Sequence, residues 1–342
     1  MSNVRTIEYV WLDGNNELRS KIRVLKCYIS TVADIPTWNY DGSSTNQAIG
    51  TESEVFIVPR AIFTDITSGH ILTMCDSRDK NGEPISSNTR ASAVKIFDKD
   101  LEAEPWFGLE QEYFLMKPKT CFDQTSMPIG LNTTKKQGQY YCSVGNENAF
   151  GRKIAESHMR MCINVGINIS GINAEVAPGQ WEFQIGPCVG IDAGDHLYMA
   201  RYLLQKISED NNVNISFHPK PVKGDWNGSG CHTNYSTKAM REGTDDKSGL
   251  DHIDVAIERL SVKHMEHMSV YGIDNHLRMT GAHETASYTT FSSGIANRGA
   301  SIRIGNETAQ NKKGYFEDRR PSSNCDPYRV TSVIFETTVL PI

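Results

Sequence analysis

Two runs rich in β-branched and aromatic residues, 5–12 and 18–26, flank the polar spacer Asp13-Gly14-Asn15-Asn16, a pattern that predicts a β-hairpin. Further strands are predicted at 54–58 and 70–75, completing a small β-rich unit that ends near residue 85. Asn88 then stands as cap before apolar positions Ala91, Val94, Phe97 and Leu101, which recur at helical spacing. Strand-like segments at 107–116, 171–176, 181–185, 300–304 and 314–319 follow, alternating irregularly with helical ones at 151–165, 193–209, 250–269 and 327–339. The last helix has Asp326 as N-cap and Pro327 at its first position. This order holds no series of parallel crossovers and predicts an α+β fold. The stretch 117–140, with its Gly, Pro, Asn and Lys, reads as a surface loop or a lid.

Length and composition sharpen this outline. A chain of 342 residues exceeds one small core and predicts two unequal domains, 1–85 and 86–342. Hydrophobic residues make up 38%, charged residues 22%, and the net charge is −6, so no electrostatic footprint for nucleic acid is expected. The N-terminus lacks the apolar stretch of a secretory signal and no segment reaches membrane-spanning length, which predicts a cytoplasmic protein with no membrane partner. The eight cysteines are scattered, without a Cys-x-x-Cys pair, and are expected to be free, mostly buried thiols.

The candidate chemistry lies in three clusters. In the segment from Trp106 to Leu115, period-2 geometry puts Glu110 and Glu112 on one face of a strand and Leu109, Tyr113 and Leu115 on the other. Alone, this describes an edge strand with a solvated face. Further along, an Ala-Pro-Gly-Gln loop at 177–180 would pair Val176 with Trp181, and so Glu175 with Glu182. Carboxylates so opposed repel by about 1–3 kcal/mol unless a cation lies between them. Oxygen ligands of this kind suit Mg²⁺ or Mn²⁺, and His232, beyond the glycines of 224–230, is the candidate imidazole. The third cluster is basic: Arg298 and Arg303, then Lys312 to Arg320, where Glu317 and Arg319 would share a strand face. Arginine forks fit phosphate and carboxylate oxygens; Lys313 and Arg320 read as solvated surface instead. His264 and His267, three apart on a predicted helix, read as polar-face histidines. No P-loop, no strand-linked Gly-x-Gly-x-x-Gly and no Gly-x-Ser-x-Gly elbow is present.

Taken with Trp38–Thr45, Asn227–Asn234, Thr280–Thr285, Ala296–Arg303 and Lys313–Asp326, these segments resemble glutamine synthetases, in the shorter form typical of eukaryotes, across almost the whole chain. The resemblance implies ATP-dependent amidation of glutamate by ammonium through γ-glutamyl phosphate. It also implies a small N-terminal β-grasp domain before a catalytic domain built on an antiparallel sheet flanked by helices. By the same resemblance, one metal ion would be held by Glu112, Glu175 and Glu182, and another by Glu110, His232 and Glu317. Arg278 and Arg319, with the backbone of Asn227 and Gly228, would bind glutamate, and Arg298 and Arg303 would steady the phosphates. Trp106, Pro187, Asn234, Ser236 and Tyr315 would contact the nucleotide. Asp41, Ser44, Tyr141 and Glu284 would form the ammonium site, with Glu284 on a flap. The implied assembly is a homo-oligomer of two stacked pentameric rings, with Asp41 supplied by a neighbouring subunit. The chain departs from the family pattern at Leu277, at Gly305-Asn306, in the 119–139 loop and at its short termini. Two rival readings, a ligase for a larger amine and a fold that has lost catalysis, are disfavoured by the intact ammonium set and by the complete ligand set.

Overall fold

A computed structural model describes residues 4–119, 126–131 and 136–341. The predicted hairpin forms from β1 (Val4–Leu12) and β2 (Leu18–Lys26), closing with Leu12 opposite Leu18. Asp13 fixes its turn, accepting from the backbone N–H groups of Asn15 and Glu17 and from Arg19. With β3 (Trp38–Asp41), β4 (Glu54–Thr64) and β5 (Ile71–Arg78) it makes a five-stranded sheet, ordered β2-β1-β5-β4-β3. Only the central β1–β5 pair is parallel, which fits the expected β-grasp unit. β3 has no predicted counterpart, because four residues are too few for an alternation to stand out.

Alternation along β1 decides what each face of this sheet covers. Ile7, Tyr9 and Trp11 pack with Ile57 and Ile71 in a small local cluster. Val10 and Leu12, with Phe63, Leu72 and Met74, instead join the main core of the molecule.

That core surrounds a second sheet. In chain order follow α1 (Thr89–Phe97), β6 (Trp106–Met116), α2 (Arg152–Val165), β7 (Ile169–Ala174), β8 (Gln180–Val189) and α3 (Asp192–Asp210). Then come β9 (Asn214–Ser216), β10 (Cys231–Ser236), α4 (Lys238–Glu242), α5 (Gly249–Val262) and α6 (His264–Met268). The chain ends with β11 (Ser293–Ile295), β12 (Ile302–Ile304), α7 (Asn306–Asn311), β13 (Phe316–Asp318) and α8 (Pro327–Val339). The sheet order is β11-β12-β13-β10-β6-β8-β7, with β9 added on β6, and all pairs are antiparallel except β11–β12. Asn88 and Asp326 cap α1 and α8 as predicted, their side chains accepting from Ala91 and Tyr328 N–H.

Four expectations are corrected. α1 stops at Phe97, leaving Leu101 exposed outside it, because Asp100 accepts from Ala103 N–H and turns the chain. The helix predicted over 250–269 breaks at Lys263, giving α5 and α6. His264 and His267 are buried, not on a polar face: His264 bonds the Tyr288 carbonyl, and His267 lies between Tyr271 and Thr337 of α8. Arg320 is buried too, its fork closed on Asp318 at 2.9 and 2.7 Å beside the Tyr271 and Phe291 rings. A charge can leave water there because its opposite leaves with it. Among the described residues the cysteines are free; Cys75, Cys162, Cys188, Cys231 and Cys325 are buried, Cys27 is half-buried and Cys142 exposed. Cys121 and the parts of the predicted 117–140 loop at 120–125 and 132–135 lie outside the described residues.

Candidate active site

The alternation of β6 holds: Leu109, Tyr113 and Leu115 sink into the core while Glu110 and Glu112 face a polar cleft. Neighbouring strands bring partners to the same face. On β10, His232 pairs with Glu110; on β8, Glu182 pairs with Glu112; on β13, Glu317 lies across from Asn234. The β7–β8 register differs from the prediction. Ala174, not Val176, is opposite Trp181, and Glu182 faces Asn173 across that pair. The hairpin loop spans 175–179, with Gly179 in the left-handed region at φ 70° and Gln180 accepting from Ala177 N–H. Glu175 therefore reaches Glu182 from the loop and not as a strand partner.

The predicted ligands nevertheless converge in two groups. Glu110, His232 and Glu317 offer ligand atoms within 4.8 Å of one another, and so do Glu112, Glu175 and Glu182. In the second group, burial above all pushes each carboxyl up to about 8; Glu175 adds to this for Glu112, Glu182 for Glu175, and Glu110 for Glu182. Glu112 does accept from Gly230 N–H at 2.7 Å, but the three carboxyls face one another and, among the described residues, no cationic side chain is bonded to them. A divalent cation would hold all three ionised, so the donor set fits one.

The first group is wired differently. Glu317 accepts from Arg319 Nη1 at 2.6 Å and Arg303 Nη1 at 2.8 Å. His232 Nδ1 stands 3.4 Å from Glu317 and 3.5 Å from Glu110. Burial and then Arg319 hold the imidazole well below its ordinary pKa, so it is neutral and keeps a lone pair, as a metal ligand must. Gly230 is the close approach here: a Cβ on it would lie 2.9 Å from His232 Nε2 and 3.1 Å from Arg278 Nη1.

Arg278 is anchored from behind, Nη2 donating to the carbonyls of Arg319, Arg320 and Pro321 and Nε to Asn275. Burial lowers its pKa to about 10, which leaves it a cation at neutral pH. Its free edge lines the cleft of ≈ 210 Å³ together with Asn227, Gly228, Tyr141, Glu284, Arg298, Arg303 and Arg319. Arg298 lies 3.7 Å from Glu284. Asp41 and Ser44 do not line this cleft. Asp41 is exposed at the end of β3, its carboxylate taken by the Ser43 and Ser44 hydroxyls and Ser43 N–H.

A second cavity of ≈ 480 Å³ adjoins through Glu110 and Gln184 and gathers Trp106, Pro187, Asn234, Ser236 and Tyr315. Its apolar walls and polar tips suit a nucleotide base and ribose. Two lining residues have no counterpart in the sequence reading. Arg241 of α4 stacks 3.9 Å above the Trp106 ring, a tertiary pairing with no local signal. Gln184 donates to Glu182 at 2.6 Å; lying two residues beyond it on one strand, it was accessible to the period-2 argument.

Comparison with known proteins agrees with this arrangement. A family model described as glutamine synthetase, catalytic domain, matches residues 88–340. The glutamine synthetase of Agaricus bisporus is 53% identical over 97% of this chain and 93% of its own. The cytosolic isozyme 1-1 of Oryza sativa shows the same figures. The cryo-EM structure of Plasmodium falciparum glutamine synthetase superposes with a TM-score of 0.79 at 18% identity, covering 98% of this chain and 72% of that one, a likeness of fold. The chain belongs to the glutamine synthetase family, the ligases that use ATP and a divalent metal to make glutamine from glutamate and ammonia.

Proposed function

We propose that the two carboxylate clusters are the metal sites of this reaction, Glu112, Glu175 and Glu182 holding one ion and Glu110, His232 and Glu317 the other, with Mg²⁺ or Mn²⁺ as occupant. The observation that carries this reading is the separate convergence of both triads, each within 4.8 Å, in one cleft beside the nucleotide-sized cavity. Bound there, the ions would neutralise phosphate charge and orient the transferred group.

The chain's own residues do the rest. Trp106, Pro187, Asn234, Ser236 and Tyr315 bind the nucleotide, so that its terminal phosphate points past Glu110 toward the arginines. Arg278 and Arg319, with the Asn227–Gly228 backbone, hold glutamate with its γ-carboxylate toward that phosphate. Arg298 and Arg303 bear on the phosphoryl oxygens as charge passes from ATP to the γ-carboxylate oxygen. The resulting acyl phosphate has a good leaving group, and ammonia displaces it. Asp41, Ser44, Tyr141 and Glu284 attract ammonium and remove its proton. A set of this kind favours ammonium over a bulkier amine, which would need the pocket opened.

Tyr141 and Glu284 line the cleft but Asp41 and Ser44 do not, which supports a homo-oligomer in which a neighbour's β3 completes each site; the two pentameric rings rest on the family resemblance alone. The 53% identical cytosolic isozyme of rice supports a cytoplasmic location.

Phosphate release is expected to depend on ATP, glutamate, ammonium and Mg²⁺ together, each omitted in turn, with ammonium preferred over methylamine or a polyamine. Glu317→Gln keeps the side chain's size and is expected to lower glutamine formation at least ~100-fold in a folded protein. Unchanged turnover by that variant would remove Glu317 from the site.

A further inference from the structure

The loop carrying Glu284 is held in an unfavourable backbone state. His283 and Glu284, at φ 53° and 59°, are successive non-glycine residues in the left-handed region, at a cost of roughly 1–3 kcal/mol each. Contacts beyond the loop must hold it. Arg319 Nη2 donates to the Glu284 carbonyl at 3.2 Å, but Arg319 is itself committed to Glu317.

Arg298 lies 3.7 Å from the Glu284 carboxylate and Thr285 Oγ1 donates to the Arg278 carbonyl, and a further set of contacts runs through a residue the site reading does not use. Gln137 Oε1 accepts from Asn227 N–H at 2.5 Å, and its Nε2 donates to Asn227 Oδ1 at 2.6 Å. The same Nε2 stands 3.5 Å from His283 Nδ1, and His283 Nε2 lies 3.1 Å from Asp225 Oδ1. The segment bearing Gln137 is pinned to the glutamate-bearing hairpin, Gly138 N–H on the Val176 carbonyl at 2.8 Å and Cys142 N–H on that of Ala174 at 2.9 Å. Three loops thus meet at one amide and one imidazole.

We infer that Gln137 and His283 are positioning residues that latch the Glu284 loop to the Asn227 loop, so that the acyl phosphate meets ammonia and not water. The inference rests on the reading that Asn227 and Glu284 border the reacting carboxylate. With the latch loosened, water attacks the γ-carbonyl carbon, the C–O bond to phosphate breaks, and glutamate, phosphate and a proton are released. ATP is then hydrolysed without glutamine.

The test is the ratio of ADP to glutamine formed by the full-length protein at saturating ATP, glutamate, ammonium and Mg²⁺. Gln137→Ala is expected to raise this ratio at least about twofold over the parent. It should also raise the KM for glutamate about tenfold and leave that for ATP in place, since Asn227 loses its clamp. His283→Ala is expected to uncouple similarly, and the double variant no further, because both act through one contact. Mere loss of folded protein lowers ADP and glutamine together and leaves the ratio alone. A ratio equal to the parent's in Gln137→Ala overturns the latch, as does a double variant whose effects multiply. Should Gln137→Ala fail to fold, Asp225→Ala carries the same two outcomes, its side chain being 98% exposed. Glu317→Gln measured alongside separates the levels: normal turnover there sinks the site reading, whereas an inactive Glu317→Gln with fully coupled Gln137→Ala sinks the latch alone.

Discussion

Without a cation the carboxyls of Glu112, Glu175 and Glu182 resist ionising together at neutral pH, and this shapes how the protein responds to pH. Burial and mutual repulsion raise each to about 8 from an ordinary 4.5. A carboxyl raised in the folded state contributes stability that is fully present below about pH 4.5 and is lost as pH rises through about 8. Without metal, the melting temperature is therefore expected to fall between about pH 5 and 9. Mg²⁺ or Mn²⁺ should restore more stability at the upper end, with protons released on binding near pH 7. Calorimetry and proton release in weak buffer check this; equal stabilisation at both ends with no protons released would mean that the cluster is not the site. At this scale the sequence already pointed to the ligands, since Glu110 and Glu112 obey strand periodicity and Glu175 and Glu182 flank one hairpin loop. Arg320 was misread because nothing in an Arg-Arg pair tells which side chain turns inward; Asp318, two residues back at the end of β13, was the available hint.

At the scale of elements, length helped without deciding: the three-residue β12 and β13 fall inside the strands expected at 300–304 and 314–319, whereas the eleven-residue β4 is expected only over 54–58. β6, α2, α3 and α8 lie within a residue or two of expectation, because nine or more residues give a period time to repeat. β3, β9 and β11, of three or four residues, have no predicted counterpart and owe their conformation to neighbours across the sheet. The β7–β8 register escaped for a related reason: Gly179 could begin a turn or lie inside one, and only packing against Ile129 and Leu115 decides. β13 also shows why a short strand can be indispensable. It sets Glu317 in the cleft and, one residue on, Asp318 against Arg320 on the buried side. Asp318→Asn leaves that guanidinium without its counter-charge and is expected to cost about 3–5 kcal/mol in urea unfolding. A loss under 1 kcal/mol would show that Tyr271 and His264, as neutral hydrogen-bond acceptors, suffice to hold the charge there.

At the scale of the molecule, the small sheet carries Asp41 where its own cleft cannot use it. If a neighbour's cleft does, two inactive variants should repair each other. Asp41→Ala and Glu317→Gln chains, dissociated and reassembled as an equal mixture, are expected to regain roughly a quarter of parental activity, because that share of mixed sites is intact. No recovery would mean that Asp41 serves no second copy. In the sequence only the family resemblance points to such sharing, since the residues of one chain do not say which copy they act in. The hydrophobic seam between the sheets then acquires a further meaning. Val10, Leu12 and Phe63 are set in the same packed interior as Phe107 and Leu109 of β6, so the N-terminal sheet behaves as a stiff bracket and not as a hinged tail. In an assembly of copies, whatever its outer rim presented to an adjoining copy would be delivered at a fixed reach from its own carboxylates, and alignment achieved at one cleft would be carried mechanically to the next.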